Sequence, residues 1–485
     1  MEQLYESEHL RARRFFVTLE QPGLGHVNLP GAPSLYSAVP WGLRRPAPRL
    51  GEHTEEIDAD ILATPAVPAS PGRLDATTPA SAGPLEGVRV LDFTAAWAGP
   101  FATQVLAHLG AEVIRIETTT RTPCVTRLLP PFADDQPGPG RAGYFNQYNQ
   151  GKRSIVLDLR KKEAVALAHR LVEHCDVVAD NFSAGVMTKL GFDHATLRGL
   201  RRDIIQISMS GYGQSGPFRA YLGYGPPAAA LSGLFGLTGY RGGEPAEIGL
   251  SYPDPNAGLM GAYAVMVALH HRDVTGEGQY IDQSQWEAML VHMAEGLLEW
   301  DINHREPRRA GNHDRVMSPH ETYKARGDDN AWVSIAVGSE QEWRALCEVI
   351  GQPELAIDAR FATAELRREH EAALDEIITT WTTAHDRWEI TELLQQAGVA
   401  AFPSMSNRDL VEDRHLNARA FFVKLDHPAV GRRIHAGIPW TMSGTPCRVR
   451  TSAPMPGADT DDVLGTILGL SSAEIERMRA AEIVK

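Results

Sequence analysis

From residue 88 onward the chain alternates short buried-strand patterns with helical ones, and this alternation narrows the possible folds more than any other feature. VRVLDF (88–93) reads as a buried strand, AGPFATQVLAHLG (98–110) as a helix stopped by glycine, and EVIRIE (112–117) as a second strand. SIVLDL, the helical KKEAVALAHRLVEH, DVVADN and DIIQISMSG continue the series. Strands this apolar must be covered on both faces, which predicts an α/β core with an open, mostly parallel sheet. GLMGAYAVMVALHHR (258–272) predicts a largely buried helix, TGEGQ a turn, and YIDQSQWEAMLVHMAEGLLEW a strand running into a helix. Residues 311–400 change character: AWVSIAV is one strand, and QEWRALCEVIG, EAALDEIITTWTTA and RWEITELLQQAG are amphipathic helices, which suits a smaller α+β domain.

The two ends of the chain carry one segment twice. HLRARRFFVTL places Phe15 where HLNARAFFVKL places Phe421. The register then holds without a gap through Pro22 with Pro428, Gly31 with Gly437, Pro40 with Pro446 and Gly51 with Gly457. A solenoid needs several adjacent repeats, so the pair predicts duplication of a larger unit. Residues 1–59 then resemble the closing tail of an upstream unit, while 85–485 form a complete unit with its own tail. Between them, ATPAVPASPGRLDATTPASAGP holds too little apolar surface to offset ordering entropy, which predicts a linker over residues 60–84. If the second copy fills its place on the large unit, the first should be loosely attached and dispensable.

A formal net charge of −14 repels polyanions and the basic clusters are short, so no nucleic-acid partner is expected. Cys124, Cys175, Cys347 and Cys447 form no C-x-x-C pair, which fits a reducing compartment. The start, MEQLYESEHLRARRFF, lacks an apolar leader core, and no stretch approaches ~18 apolar residues, so a cytoplasmic protein without a membrane partner is expected.

Several familiar motifs are absent. The turn after VRVLDF carries Ala-Gly-Pro instead of G-x-G-x-x-G, which leaves a nicotinamide cofactor little support. In GYGQSGP, Ser215 lacks the second glycine of a nucleophile elbow and reads as a turn residue. No histidine pair has metal-binding spacing, so no metal is expected. Asp254, in SYPDPNAG before the apolar helix, reads as an N-cap with Pro255 at the first helical position. There the helix dipole would also keep a carboxylate ionised and nucleophilic.

PLEGVRVLDFTAAWAGPFATQVLAHLGAEVIRIE, NQGKRSIVLDLR, DNFSAGVMTKLGF, SMSGYGQSGP, DPNAGLMGAYAVMVAL and TGEGQYIDQS follow one another in the order found in the class III CoA-transferases, and the chain resembles that family over residues 85–468. The group includes formyl-CoA transferase, carnitine CoA-transferase and α-methylacyl-CoA racemase. The resemblance implies a Rossmann-like large domain, its first part at 85–300, a small domain at 301–405, and a segment at 406–485 returning to the large domain. It also implies two chains threaded as interlocked rings, as a homodimer or as a heterodimer with a related unit. Coenzyme A would be a substrate, with no tightly bound cofactor, and the partners an acyl-CoA and a carboxylic acid.

By position in these motifs, Asp254 matches the family's nucleophile, which forms an acyl-aspartyl anhydride and then an aspartyl-CoA thioester. Leu157, Arg160, Asn181, Phe182 and Lys189 match CoA-binding positions, and Thr118, after the strand ending at Glu117, is a further cofactor-binding candidate. The residue types fit CoA: Arg160 and Lys189 can pair with phosphate, Asn181 can hydrogen-bond, and Leu157 and Phe182 can flank adenine. Trp97 stands where formyl-CoA transferase has a catalytic glutamine, and cannot supply the same amide hydrogen bonds. Gly225 replaces the acidic residue common after Gly-Tyr, TTTRTPCVTR replaces a Gly-Asp stretch, and no glycine-rich lid is visible near 313–323. Tyr224 occupies the position of the racemases' histidine and is a poor base at neutral pH, which favours transfer over racemisation. The alternatives are an acyl-CoA racemase or isomerase acting at Cα, and a CoA-binding pseudoenzyme or subunit of a split fusion.

Overall fold

Along each central strand successive apolar side chains fall on opposite faces, and each face meets its own core. Val90, Val113, Val177 and Ile205 enter one cluster, while Leu91, Ile114 and Val178 enter the other. The computed structural model describes residues 1–63, 83–118 and 124–485. These form two units, Met1–Leu234 with Ile248–Pro307 and Phe421–Lys485, and Phe235–Glu247 with Arg308–Ala420.

In the first unit, β1 (Phe16–Gln21) and β2 (Gly25–Pro30) form a hairpin, followed by β3 (Ser34–Tyr36). The main strands are β4 (Arg89–Asp92), β5 (Glu112–Glu117), β6 (Lys152–Val156), β7 (Val177–Asp180), β8 (Ile205–Ser210) and β9 (Tyr280–Ser284). The seven-stranded sheet runs β3-β9-β8-β7-β4-β5-β6, parallel from β6 to β9, with β3 antiparallel at the edge. Numbered from β4, the parallel strands have the order 3-2-1-4-5-6 of a doubly wound sheet, whose topological switch lies between β4 and β7. Helices Ala98–His108 and Pro253–Thr275 cover one face, and Lys162–Val172 with Thr460–Leu468 the other.

The first segment is not loose. Leu10 and Phe15 are buried, β3 extends the large sheet, and Arg13 is buried between two carboxylates. The expectation rested on its having no large unit to pack on, whereas it packs on the one in its own chain. Helix Thr54–Ala63 occupies the expected start of the linker, and most of the remainder lies outside the described residues.

The second unit holds an antiparallel sheet of β10 (His320–Lys324), β11 (Trp332–Ala336) and β12 (Ala400–Pro403), packed against helices Glu340–Val349, Glu371–Thr382 and Arg387–Gln396. It also recruits Phe235–Glu247 from the span assigned by sequence to the large domain. Arg309 donates to the Gly243 carbonyl at 2.8 Å, and Gly311 N donates to the Gly239 carbonyl at 2.9 Å. Such ties leave no trace in hydrophobic periodicity.

On the return to the first unit, β13 (Phe422–His427) and β14 (Gly431–Ala436) form a hairpin in the register of β1–β2. Phe16 faces Pro30 as Phe422 faces Ala436, and Gln21 faces Gly25 as His427 faces Gly431. Among the described residues, no helix is long and apolar enough to cross a membrane.

Candidate active site

The switch point is braced from below by buried charge. Asp92, at the end of β4, accepts from the Thr94 backbone N–H at 2.8 Å, from Thr103 Oγ1 at 2.8 Å and from Lys152 Nζ at 3.2 Å. Lys152 also donates to the Pro100 carbonyl and Asn149 Oδ1, and burial lowers its pKa to about 8. Asn181, after β7, clamps the same turn: Oδ1 accepts from Ala95 N–H and Nδ2 donates to the Ala95 carbonyl, each at 2.7 Å. Its amide thus braces the turn through one donor and one acceptor, while Asn181 also lines the cavity above it. Ala96, in that turn, is held at φ 61°, a left-handed conformation that a side-chain-bearing residue keeps only where its surroundings enforce it.

Above the turn lies a cavity of about 280 Å³ lined in part by Ala96, Asn181, Phe182, Tyr224, Asp254 and Gln285. Helix Pro253–Thr275 begins two residues earlier than the N-cap reading required, so Pro253 opens it and Asp254 lies in its first turn. The carboxylate does not cap this helix. Its Oδ2 accepts from the Ser251 hydroxyl and its Oδ1 from Gln285 Nε2 at 3.0 Å. Desolvation by burial raises its pKa, opposed by the bonds from Ser251, Gln285 and the backbone of Ala98. Burial, rather than the dipole, therefore sets the direction of its shift.

Gly225, which in the sequence is only a departure from the family pattern, abuts this carboxylate. A Cβ added there would meet Ser251 Oγ at 1.8 Å and Asp254 Oδ2 at 2.2 Å. Glycine permits the close approach, and any larger residue must displace the carboxylate or its partner. Gly225→Ala is expected to lower kcat ~10²-fold, the scale of an ångström's misplacement, with little change in melting temperature. A kcat within about twofold of the parent would show that this contact does not position Asp254.

Tyr224 caps helix Gly225–Leu231 and lines the cavity, with 69% of its surface exposed. Trp97 does not line it; its ring packs on Tyr148 at 5.1 Å and Tyr144 at 5.6 Å. Burial raises the pKa of both tyrosines, and the charge of Asp254 raises them further. Trp97 thus anchors an aromatic wall where the family resemblance put an amide.

The CoA-binding candidates gather at a second cavity of about 250 Å³, where Thr118, Leu157, Arg160 and Phe182 are joined by Phe93, Ile116 and Leu190. Phe182 lines both cavities. Arg160 pairs with Asp158 at 2.8 Å but keeps a side chain 59% exposed, so a phosphate could share it at little cost. Lys189 is exposed on the short helix Val186–Leu190 and lines neither cavity. Ser251, Gln285, Tyr144 and Tyr148 were not among the residues expected from sequence. Only Gln285 had a signal, its place at the strand-to-helix junction of YIDQSQW.

Residues 1–54 and 85–460 match the family model for CoA-transferase family III, and the chain belongs to that family. It is 32% identical over 408 residues to succinyl-CoA–D-citramalate CoA-transferase of Chloroflexus aurantiacus, an alignment covering 83% of this chain and 98% of that one. A probable CoA-transferase of Mycobacterium tuberculosis is 30% identical over 465 residues, covering 92% of this chain but 55% of that protein. Among solved structures, a CaiB/BaiF family protein from Brucella suis is similar with a TM-score of 0.72 and 30% identity, over 80% of this chain and all of that one.

Proposed function

We propose that this chain moves CoA from an acyl-CoA thioester to a carboxylic acid with Asp254 as the nucleophile. The observation that carries this reading is a carboxylate held by Ser251 and Gln285 in the switch-point cavity, where no other lining residue is acidic among the described residues. An Asp254 oxygen attacks the thioester carbonyl, forming an acyl-aspartyl anhydride and expelling CoA thiolate. The thiolate attacks the aspartyl carbonyl, releasing the donor acid and leaving an aspartyl-CoA thioester. The acceptor carboxylate attacks that carbonyl and expels the thiolate, which then takes the acceptor acyl group and restores Asp254. No proton, metal or oxidant is consumed.

Gln285 and Ser251 hold the two carboxylate oxygens, and the partial burial raises the reactivity of the carboxylate by limiting its hydration. The relatives' names, which include succinyl-CoA–D-citramalate CoA-transferase and succinate–glutarate CoA-transferase, support short dicarboxylates as first substrates to test. Incubation with succinyl-CoA followed by hydroxylamine should leave a hydroxamate on Asp254, read by peptide mass spectrometry. Exchange of the α-proton without that adduct would instead favour the racemase chemistry.

Because the anhydride requires ionised Asp254, kcat/KM should rise with pH through a carboxyl pKa above the ordinary value of about 3.9. A profile flat from pH 4 to 7 would contradict this. In the second cavity, Arg160→Ala should weaken CoA-thioester binding roughly tenfold, through the lost charge-assisted hydrogen bond to phosphate, with kcat nearly unchanged. Isothermal titration with CoA checks it, and unchanged affinity would return Arg160 to its surface pair with Asp158.

A further inference from the structure

Three polar residues stand in register at the carboxyl ends of adjacent parallel strands. Asp180 of β7 pairs with Ser208 of β8, and Ser208 pairs with Asp282 of β9. Ser208 Oγ donates to Asp180 Oδ2 at 2.6 Å, and both aspartates are buried. Each aspartate takes one backbone N–H from the loops beyond the strands. Asp180 Oδ1 accepts from Phe182 N–H at 3.1 Å, and Asp282 Oδ1 accepts from Gln214 N–H at 2.7 Å.

The two loops meet through one side chain. After β7 the chain leaves the sheet, so the Phe182 carbonyl has no strand partner, and no backbone N–H among the described residues reaches it. Gln214 Nε2 donates to it at 3.0 Å. Phe182 is therefore held on both sides, at its N–H by Asp180 and at its carbonyl by Gln214. Among the described residues Phe182 alone lines both cavities, whereas Gln214 lines neither. Gln214 acts by placing another residue, and an error in that placement is felt in both cavities at once.

Gln214 is itself fixed from behind. It follows Gly213, at φ 82°, where an added Cβ would lie 2.3 Å from Arg13 Nη1. Asp282 Oδ2 accepts from Arg13 Nη1 at 2.7 Å and from Ser215 Oγ at 3.0 Å. Residues 212–218 and 282–287 form a socket here that seats the first segment, in which Arg13 also donates to Glu287 at 2.6 Å and the His9 ring stacks on Phe218. The GYGQSGP turn, which lacks a nucleophile elbow, is thus tied to buried charge on one side and reaches the cavity wall with its glutamine on the other.

We propose that Gln214 is a positioning residue for CoA-thioester binding, which fixes the Phe182 backbone so that the ring stands ready between the two cavities. The inference rests on the reading of the second cavity as the CoA site. A side chain without a donor at position 214 would leave the Phe182 carbonyl unsatisfied and the loop after β7 free to shift. The ligand would then have to order that loop as it binds, and the ordering would be subtracted from its affinity.

The test uses the full chain and free CoA, with affinity read by isothermal titration. Gln214→Met keeps the length of the side chain and removes its donor. It should weaken CoA binding at least about threefold, the scale of one neutral hydrogen bond, with a melting temperature within about 3 °C of the parent. In a Phe182→Ala background the same substitution should change CoA affinity by less than about 1.5-fold, because the ring that Gln214 positions is gone. A smaller loss than threefold in the parent, or an equal loss in both backgrounds, would overturn the proposal. If Phe182→Ala does not fold or no longer binds CoA, hydrogen exchange decides: Gln214→Met should speed amide exchange at residues 181–185 of the CoA-free chain at least about threefold, and unchanged protection there would overturn it. Affinity is read without turnover, so a parent that binds CoA but transfers nothing would sink the proposed reaction and leave this test standing.

Discussion

Asp254→Asn is expected to lower CoA transfer by at least ~10³-fold, the scale of removing a covalent nucleophile, while melting temperature and CoA affinity stay close to those of the parent. The amide is nearly isosteric with the carboxylate and can keep both of its partners. Its oxygen can accept from Gln285, and its NH₂ can donate to Ser251, whose hydroxyl rotates to accept. An amide oxygen does not form the anhydride, so the loss should appear in kcat and in the absence of any hydroxylamine-trapped adduct. Steady-state rates with succinyl-CoA and a dicarboxylate acceptor provide the measurement. Turnover within tenfold of the parent would remove Asp254 from the mechanism.

Arg13→Ala is expected to destabilise the first unit by about 3–5 kcal/mol, the cost of stranding buried charge by removing its partner. The Arg13 side chain is fully buried, as are those of Asp282 and Glu287 to within 8% and 1% exposure. Without the guanidinium, two carboxylates and Ser215 would face one another in a closed socket. Denaturant unfolding followed by tryptophan fluorescence checks the value, because Trp286 lies in the socket wall, 5.8 Å from the His9 ring. The damage should extend to β3, which pairs with β9 opposite Asp282. A loss below about 1 kcal/mol would mean that the first segment contributes little, as expected of a dispensable remnant.

Much of the large unit was legible in the chain. The strand patterns from VRVLDF to DIIQISMSG all became sheet strands, because a strand buried on both faces must be apolar throughout and a covering helix must repeat its apolar residues about every 3.6 positions. The second unit's helices were legible for the same reason. Its recruitment of Phe235–Glu247 was not, because backbone and arginine hydrogen bonds hold that stretch. At the site, motif order brought out Asp254, Phe182 and Leu157. It did not show that the Asn181 amide also braces a backbone 86 residues away in sequence.

The sequence by itself determined the alternating α/β core, the position of the acidic candidate near the start of an apolar helix, and the presence of one segment twice, since each is a pattern along a single stretch or a comparison of two. Only the tertiary structure decided what those residues touch. It put Gly225 against the Asp254 carboxylate, turned Trp97 into an aromatic wall, and seated the first copy of the repeat while leaving the same groups of the second in solvent. The two copies carry nearly the same residues, so their local conformation is the same. Their fates differ because burial depends on which surface each meets, and a socket assembled from residues 212–218 and 282–287 can hold one arginine.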